Sequence, residues 1–134
     1  MKAIILICLM LNLSFISFAQ EGVMVNPNGL ATDTLTNTTA EGPTVRIPGQ
    51  AEAVSFTLQV TTISGTLGGK VYLQGASKSG VYGDNYLDSV TLQAGTKNYT
   101  FSRTYPAHQY YKLYVVPTGT SSSAYKASYY IRKD

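Results

Sequence analysis

Few residues in this 134-residue chain have side chains suited to acid–base or nucleophilic chemistry. The chain contains one histidine, one cysteine and seven acidic residues. His108 follows Tyr105 and Pro106 in a predicted loop, and we expect its side chain to be exposed to solvent. Nucleophilic catalysis needs a base beside the nucleophile and a third group that orients the base. The sequence has no Gly-x-Ser-x-Gly motif, so we predict that the protein is not an enzyme.

The acidic residues do not form a recognisable catalytic pair or metal motif. Most of them fall in predicted loops or near the termini, where contact with solvent is enough to explain a charge. Asp84, Asn85 and Asp88 offer the oxygen ligands that calcium prefers, but their spacing matches no known calcium loop and is typical of a turn. We therefore predict no catalytic residue, no metal site and no cofactor.

The N-terminus has the pattern of a secretory signal peptide. Lys2 precedes a continuous apolar stretch at residues 3–11, and Ser17 and Ala19 place small residues where a signal peptidase cleaves. A retained membrane anchor is the alternative, but the apolar core is shorter than the ~20 residues that a spanning helix needs. We expect residues 1–19 to be removed on export, which also removes Cys8 and leaves no disulfide.

Alternation of apolar and polar residues predicts β-strands in the rest of the chain. The strongest apolar rows are Val54, Phe56, Leu58 and Val60, and Tyr125, Ala127, Tyr129 and Ile131. Glycines at 65–69 predict a turn, Pro117 ends a strand, and 118–123 reads as a polar hairpin loop. We predict an all-β domain at 33–134, an antiparallel β-sandwich or jelly roll of seven or eight short strands, after a flexible arm at 20–32.

The charge distribution argues against nucleic acid as a partner. Ten basic and seven acidic residues give a net charge of +3, and charged residues make up 13% of the chain. A nucleic-acid-binding protein normally concentrates basic residues on one face, and no such run is present. We expect contact with a membrane only through the N-terminal segment, if that segment is retained.

Tyrosine is the residue type that best indicates an interaction surface. The chain has 11 tyrosines and no tryptophan. Tyrosine combines a wide apolar ring with a polar tip and loses little rotamer entropy on binding. Tyr72 and Tyr130 fall on outward rows and Tyr82 falls in a loop, so we predict these three as the contact surface. The expected partners are further copies of the chain or other structural proteins, with cell-surface glycans as an alternative.

The order of the segments resembles small β-sandwich structural proteins of tailed-bacteriophage virions. The resemblance spans about Asp33 to Lys133. The segments that carry it are Asp33-Thr34-Leu35-Thr36-Asn37, Ser64-Gly65-Thr66, Gly69-Lys70-Val71-Tyr72-Leu73-Gln74-Gly75, Asp88-Ser89-Val90-Thr91-Leu92, Tyr110-Tyr111-Lys112-Leu113 and Thr118-Gly119-Thr120. It implies a non-enzymatic component of the head or tail surface.

An export signal is not part of the virion pattern, so two other functions remain open. One is a secreted bacterial adhesin or matrix subunit, and the other is a carbohydrate-binding module. In each case we expect the protein to act by self-association or docking. We expect it either in a virion or exported to the periplasm, the cell surface or the medium.

Overall fold

The regular structure of this computed structural model consists of β-strands. It describes residues 18–36, 40–49, 51–84 and 86–133. The strands are β1 Phe18–Met24, β2 Thr32–Thr36, β3 Thr44–Arg46, β4 Ala53–Ala76, β5 Tyr86–Thr91, β6 Thr96–Thr104 and β7 Tyr110–Lys133. Within those ranges, no helix is long and apolar enough to cross a membrane.

A long ribbon of two strands forms the centre of the fold. β4 and β7 are each 24 residues long, and they pair antiparallel from Ala53↔Arg132 to Ala76↔Tyr110. The first half of β4 and the second half of β7 lie side by side in the ribbon. β6 pairs with this part of β4, and β1 and β2 pair with this part of β7. These strands together are called layer A. β3 pairs with the first half of β7 and β5 with the second half of β4, which gives layer B.

The two layers face each other across one hydrophobic core. The predicted row from Val54 to Val60 is confirmed, because its apolar members are buried while the alternate residues are half-exposed. The rings of Phe56 in layer A and Tyr111 in layer B lie 4.9 Å apart between centroids, so side chains of both layers interdigitate. The all-β, antiparallel sandwich predicted from the alternation is therefore present.

The glycine segment at 65–69 is not the turn that the sequence predicts, and 118–123 is not a hairpin loop. Both segments lie inside the long strands, opposite each other in the ribbon. Gly65 has a φ of +75°, and a Cβ atom there would lie 1.7 Å from the carbonyl oxygen of Thr120. The ribbon therefore bends where two backbones approach closely, without reversing. The described residues form seven strands, of which two are long, where short strands were expected.

The N-terminal segment differs from the flexible arm expected at 20–32, because part of it is a strand. β1 pairs with β7 over seven residues, from Phe18↔Lys133 to Met24↔Ala127, and Met24 is fully buried. The segment has little apolar alternation, so pairing with a distant strand decides its structure. Residues 1–17 of the predicted signal peptide lie outside the described residues, and the signal peptide remains a prediction.

A buried asparagine fixes the loop after β1. The Asn26 side chain is 2% exposed, and its Oδ1 atom accepts hydrogen bonds from the backbone N–H groups of Asn28 and Leu30 at 3.0 and 2.8 Å. Its amide group also donates to the carboxylate of Asp33 at the start of β2. The segment 26–30, part of the flexible arm expected at 20–32, is thus a loop held by side-chain hydrogen bonds.

The side of the sandwich formed by β5 and β6 is closed by a polar contact between the layers. Arg103 on β6 donates through Nη2 to the carbonyl oxygen of Leu87 at 2.6 Å and lies 3.4 Å from the Asp88 carboxylate on β5. The alternation of Val90 and Leu92 with polar residues predicts that both point inward, but Val90 is 36% exposed because β5 lies at the edge of its layer. Leu92, in the same predicted row, is buried.

Candidate interaction surfaces

The outer face of layer B carries a cluster of tyrosines. Along β7, Tyr111, Leu113 and Val115 point into the core, so Tyr110 and Tyr114 are on the outer face of the sheet. Tyr72 of β4 is directly opposite Tyr114 in the register. We call the outward cluster the tyrosine face, and its members are Tyr72, Tyr82, Tyr86, Tyr110, Tyr114 and the central Lys112.

Ring contacts and a cation hold the tyrosine face together. The Tyr72 and Tyr86 ring centroids lie 4.7 Å apart with the planes tilted by 42°. The Lys112 ammonium nitrogen lies 4.5 Å from the Tyr114 ring centroid and 5.9 Å from that of Tyr82. Such distances permit attraction between the cation and the negative faces of the rings. The face therefore presents a preformed aromatic surface with one positive charge in it.

The loop between β4 and β5 places Tyr82 on this face. Gln74 of β4 is buried and donates through Nε2 to the carbonyl oxygen of Gly83 at 2.9 Å, which fixes the loop over the sheet. A shallow depression of about 340 Å³ lies beneath it, lined by residues that include Tyr82, Tyr86 and Lys112. The loop and two strands thus build one continuous patch.

Partial burial shifts the proton equilibria of two groups in the patch. Burial raises the pKa of the Tyr82 hydroxyl, and the neighbouring Tyr110 raises it further. Burial lowers the pKa of the Lys112 ammonium, while the Glu41 carboxylate acts in the opposite direction. A phenol with an ordinary pKa is already neutral near pH 7, and the raised pKa of Tyr82 extends the range in which it can donate a hydrogen bond to more alkaline pH.

The outer face of layer A has a different chemistry, because it is lined by hydroxyl and amide groups. Cross-strand pairs between β4 and β6 form a polar ladder on this face. They are Ser55 with Ser102 at 3.3 Å, Thr57 with Thr100 at 3.3 Å, Gln59 with Asn98 at 3.2 Å, and Thr61 with Thr96 at 3.2 Å. Such pairs stabilise the sheet modestly and leave a polar surface.

Two adjoining grooves cross this second face. Their volumes are about 430 and 440 Å³, and they share Val23, Thr57 and Ser128. Glu21 and Tyr130 line the first groove, while the second is lined by residues that include Gln59, Asn98 and Lys126. We call these together the hydroxyl groove. Small side chains on the central strands form its floor, which makes the surface concave.

The structure separates the three predicted contact residues. Tyr72 and Tyr82 both belong to the tyrosine face, whereas Tyr130 lies on the opposite outer face and is 41% exposed. Sequence reasoning did not select Tyr86, Tyr110 and Tyr114 as contact residues. Alternation with the apolar row of β7 could have identified Tyr110 and Tyr114, because residues that alternate with a buried row must point outward.

The residues considered for chemistry lie in structural contacts. His108 was expected to be exposed, but it is half-buried. Its ring packs edge-on against the Tyr111 ring, with 6.0 Å between the centroids, and also lies against Gly75. Asp88 accepts the backbone N–H of Ser89 and contacts Arg103, and Asn85 lies outside the described residues. In the described ranges, no group of three or more His, Cys, Asp and Glu residues is arranged to hold a metal ion.

These features define an antiparallel β-sandwich with an aromatic face on one layer and a polar groove on the other. No family model matches the chain, and no curated protein sequence matches it. Solved structures match its fold. VP2 from an infectious bursal disease virus subviral particle aligns with a TM-score of 0.53 and 9% identity, over 90% of this chain and 33% of that chain.

Two further structures match the fold at similar levels. The PBSX exported protein XepA aligns with a TM-score of 0.52 and 14% identity, over 85% of this chain and 37% of that chain. Tripeptidyl peptidase 2 aligns with a TM-score of 0.52 and 11% identity, over 90% of this chain and 10% of that chain. The chain spans at most 37% of the length of these three proteins, and identities this low show a shared fold alone.

Proposed function

We propose that the protein is a non-enzymatic surface or assembly protein that docks on a partner protein through the tyrosine face. Its location is a virion, as a head or tail surface component, or an exported cell-surface structure. Five tyrosines gathered around Lys112 on one outer face are the observation that carries this proposal. Tyrosine is enriched at protein interfaces, where its ring fills a pocket and its hydroxyl meets a polar group.

The contacts within the face indicate how a partner would bind. Tyr72 and Tyr86 already touch, and Tyr86 is 47% exposed, so a partner that covers this pair buries rings that need little reordering. Lys112 offers a positive group to a carboxylate or carbonyl oxygen at the centre of the patch. The partner should therefore present an apolar or aromatic anchor next to an acidic group.

Two considerations support a structural role over catalysis. The tyrosine face offers phenols and a cation, without a nucleophile–base pair. The fold is also found in VP2 of a virus particle and in an exported PBSX protein, which agrees with a particle or surface location. The peptidase match covers 10% of that chain, so it adds no support for peptidase activity here.

Docking can be tested with matched tyrosine variants on opposite faces. In the native host, we would replace Tyr72 and Tyr86 together by Ser, and separately replace Tyr130 by Ser. Retention of each protein in the native particle or surface fraction is then measured by quantitative mass spectrometry. Hot-spot residues at the centre of an interface contribute ~2 kcal/mol or more each, so loss of both rings should weaken binding by about a thousandfold, while Tyr130→Ser retains it.

The docking proposal is wrong if the double variant is retained as well as the parent while thermal unfolding shows that both are folded. The same mass spectrometry reports the native N-terminus. A start at Gln20 supports export, whereas residues 1–19 retained inside a purified particle support the virion location.

A second candidate function is glycan binding in the hydroxyl groove. Serine, threonine and amide groups line its floor, and the exposed ring of Tyr130 stands at one end as a platform for a sugar ring. Binding to a glycan array that is lost in Tyr130→Ala and kept in Tyr86→Ala supports this function. The reverse pattern, or no binding to any glycan, excludes it.

A further inference from the structure

Layer A ends in an open strand on each side. Its strands run in the order β1, β7, β4 and β6, with β2 continuing the β1 edge along β7, so β1 and β6 have one neighbouring strand each among the described residues. β6 is nine residues long and β1 is seven. An open edge presents backbone donors and acceptors to which another strand can pair.

The hydrogen bonds at the two ends of the β6 ladder show which residues face the open edge. The backbone N–H of Tyr105 donates to the Glu52 carbonyl oxygen at 2.6 Å, and the backbone N–H of Thr62 donates to the Gly95 carbonyl oxygen at 3.2 Å. Alternate residues of an antiparallel strand bond to the same neighbour, so odd-numbered residues of β6 face β4. The N–H and C=O groups that face outward therefore belong to Thr96, Asn98, Thr100, Ser102 and Thr104.

The same alternation can be followed across the layer to β1. Even-numbered residues of β4 bond to β6, so its odd-numbered residues bond to even-numbered residues of β7. Odd-numbered residues of β7 then bond to even-numbered residues of β1. The backbone groups of Ala19, Glu21 and Val23 are left facing outward, and their side chains lie on the outer face with the hydroxyl groove.

The strand directions make the two open edges complementary. Each neighbouring pair in layer A is antiparallel, so β1 and β6 run in opposite directions. A second copy moved sideways without rotation therefore places its β1 antiparallel to β6 of the first. Glu21 and Val23, which remain if residues 1–19 are removed, then form about four backbone hydrogen bonds with β6.

The geometry points to head-to-tail assembly, in which β6 of one copy pairs with β1 of the next and layer A continues from copy to copy. Charge favours this arrangement over pairing of two β6 strands. β6 carries Lys97 and Arg103 and no acid, whereas β1 carries Glu21 and no base. Lys97 and Arg103 lie on the same side of β6 as the buried Tyr99 and Phe101, so two β6 strands paired about a two-fold axis would bring four basic side chains together on that side. β1 has no basic residue, so the head-to-tail contact avoids this repulsion.

A head-to-tail contact that does not close into a ring extends into a filament. The tyrosine face lies on layer B and takes no part in this contact, so every copy in a filament would keep it available for a partner. The inference thus goes beyond the proposed docking function and does not depend on it. Variants of Tyr72 and Tyr86 should assemble like the parent.

Proline substitutions can block each edge separately. Thr100→Pro removes an outward N–H from β6, and Glu21→Pro removes one from β1, without loss of a backbone hydrogen bond inside the layer. Thr100→Pro also loses the side-chain hydrogen bond to Thr57, as does Thr100→Val. Thr100→Val keeps the N–H and serves as the control. If a proline variant fails to fold by circular dichroism, Ser102→Pro or Val23→Pro removes a neighbouring outward N–H on the same edge.

Sedimentation velocity and electron microscopy of the full chain with its native N-terminus give the readout. The parent and Thr100→Val should form linear oligomers that lengthen with concentration, and each proline variant alone should be monomeric. An equal mixture of Thr100→Pro and Glu21→Pro should form a 1:1 dimer and nothing larger, because one free β1 edge meets one free β6 edge.

Two outcomes would overturn head-to-tail assembly. The first is a parent that stays monomeric at every concentration. The second is a Glu21→Pro variant that still dimerises alone while Thr100→Pro does not, which would indicate pairing of two β6 edges about a two-fold axis.

Discussion

Ionisation of Tyr125 should weaken the fold, because its hydroxyl group is buried in the core. The residue is 1% exposed. Burial, followed by the charges of Asp33 and Glu41, raises the pKa of Tyr125 to about 12 from its ordinary 10.0, while Asn26 acts in the opposite direction. The folded state therefore prefers the neutral phenol. The resulting stability is fully present below pH 10 and is lost as the pH rises through 12.

The expected size of the effect follows from the two pKa values. The free energy of unfolding should fall by about 1.4 kcal/mol between pH 8 and pH 11, and by up to ~2.7 kcal/mol well above pH 12. Tyr125→Phe cannot ionise, so its stability relative to the parent should rise by that amount over the same range. Other tyrosines are common to both proteins, and their contributions cancel in the difference.

Urea unfolding followed by circular dichroism at a series of pH values measures the difference directly. Tyr105→Phe is the matched comparison, because it removes a phenol that is 74% exposed and lies outside the core. A gap between Tyr125→Phe and the parent that stays constant from pH 8 to pH 11 would contradict the argument, since it would show that the buried hydroxyl is no harder to ionise than an unfolded one.

Two further substitutions test the ribbon bend and the N-terminal loop. Gly65→Ala and Gly29→Ala both place a side chain at a positive φ, of +75° and +78°, but only Gly65 lies against a neighbouring backbone. In urea unfolding, we expect Gly29→Ala to lower the free energy of unfolding by about 1 kcal/mol and Gly65→Ala to lower it by more than about 3 kcal/mol. Equal losses would contradict the close approach of the Gly65 and Thr120 backbones. Asn26→Ala should cost about 1–3 kcal/mol, because the N–H groups of Asn28 and Leu30 lose their acceptor; an unchanged urea midpoint would show that the loop does not depend on this side chain.

Strict alternation made the central strands predictable from the sequence. The row from Val54 to Val60 combines β-branched and aromatic residues with polar alternates, and packing against a single core selects that pattern. The glycine segments were harder to interpret. A run containing Gly65 and Gly69 favours a turn locally, but the backbone there continues because a partner strand runs beside it, and such pairing is not a local property.

The interaction surfaces were predictable only in part. Alternation indicates that Tyr72, Tyr110 and Tyr114 point outward, yet their association with Tyr86 depends on the register between β4 and β5, which shifts between Leu73 and Gln74. The hydroxyl groove needs β1 beside β7, and β1 has too little apolar pattern to be recognised as a strand. Sequence periodicity therefore gives the direction of a side chain more readily than its neighbours.

The ribbon of β4 and β7 couples the two layers mechanically as well as by packing. Each of its strands belongs to both layers, so the central strands of one layer cannot separate from those of the other without breaking the ribbon at its bend. Layers joined only by loops can separate as independent units, whereas this connection should make local openings rare in the central strands and confine them to the short outer ones. A force applied to one face, such as the pull of a bound partner on the tyrosine face, would therefore reach the opposite layer directly through the backbone.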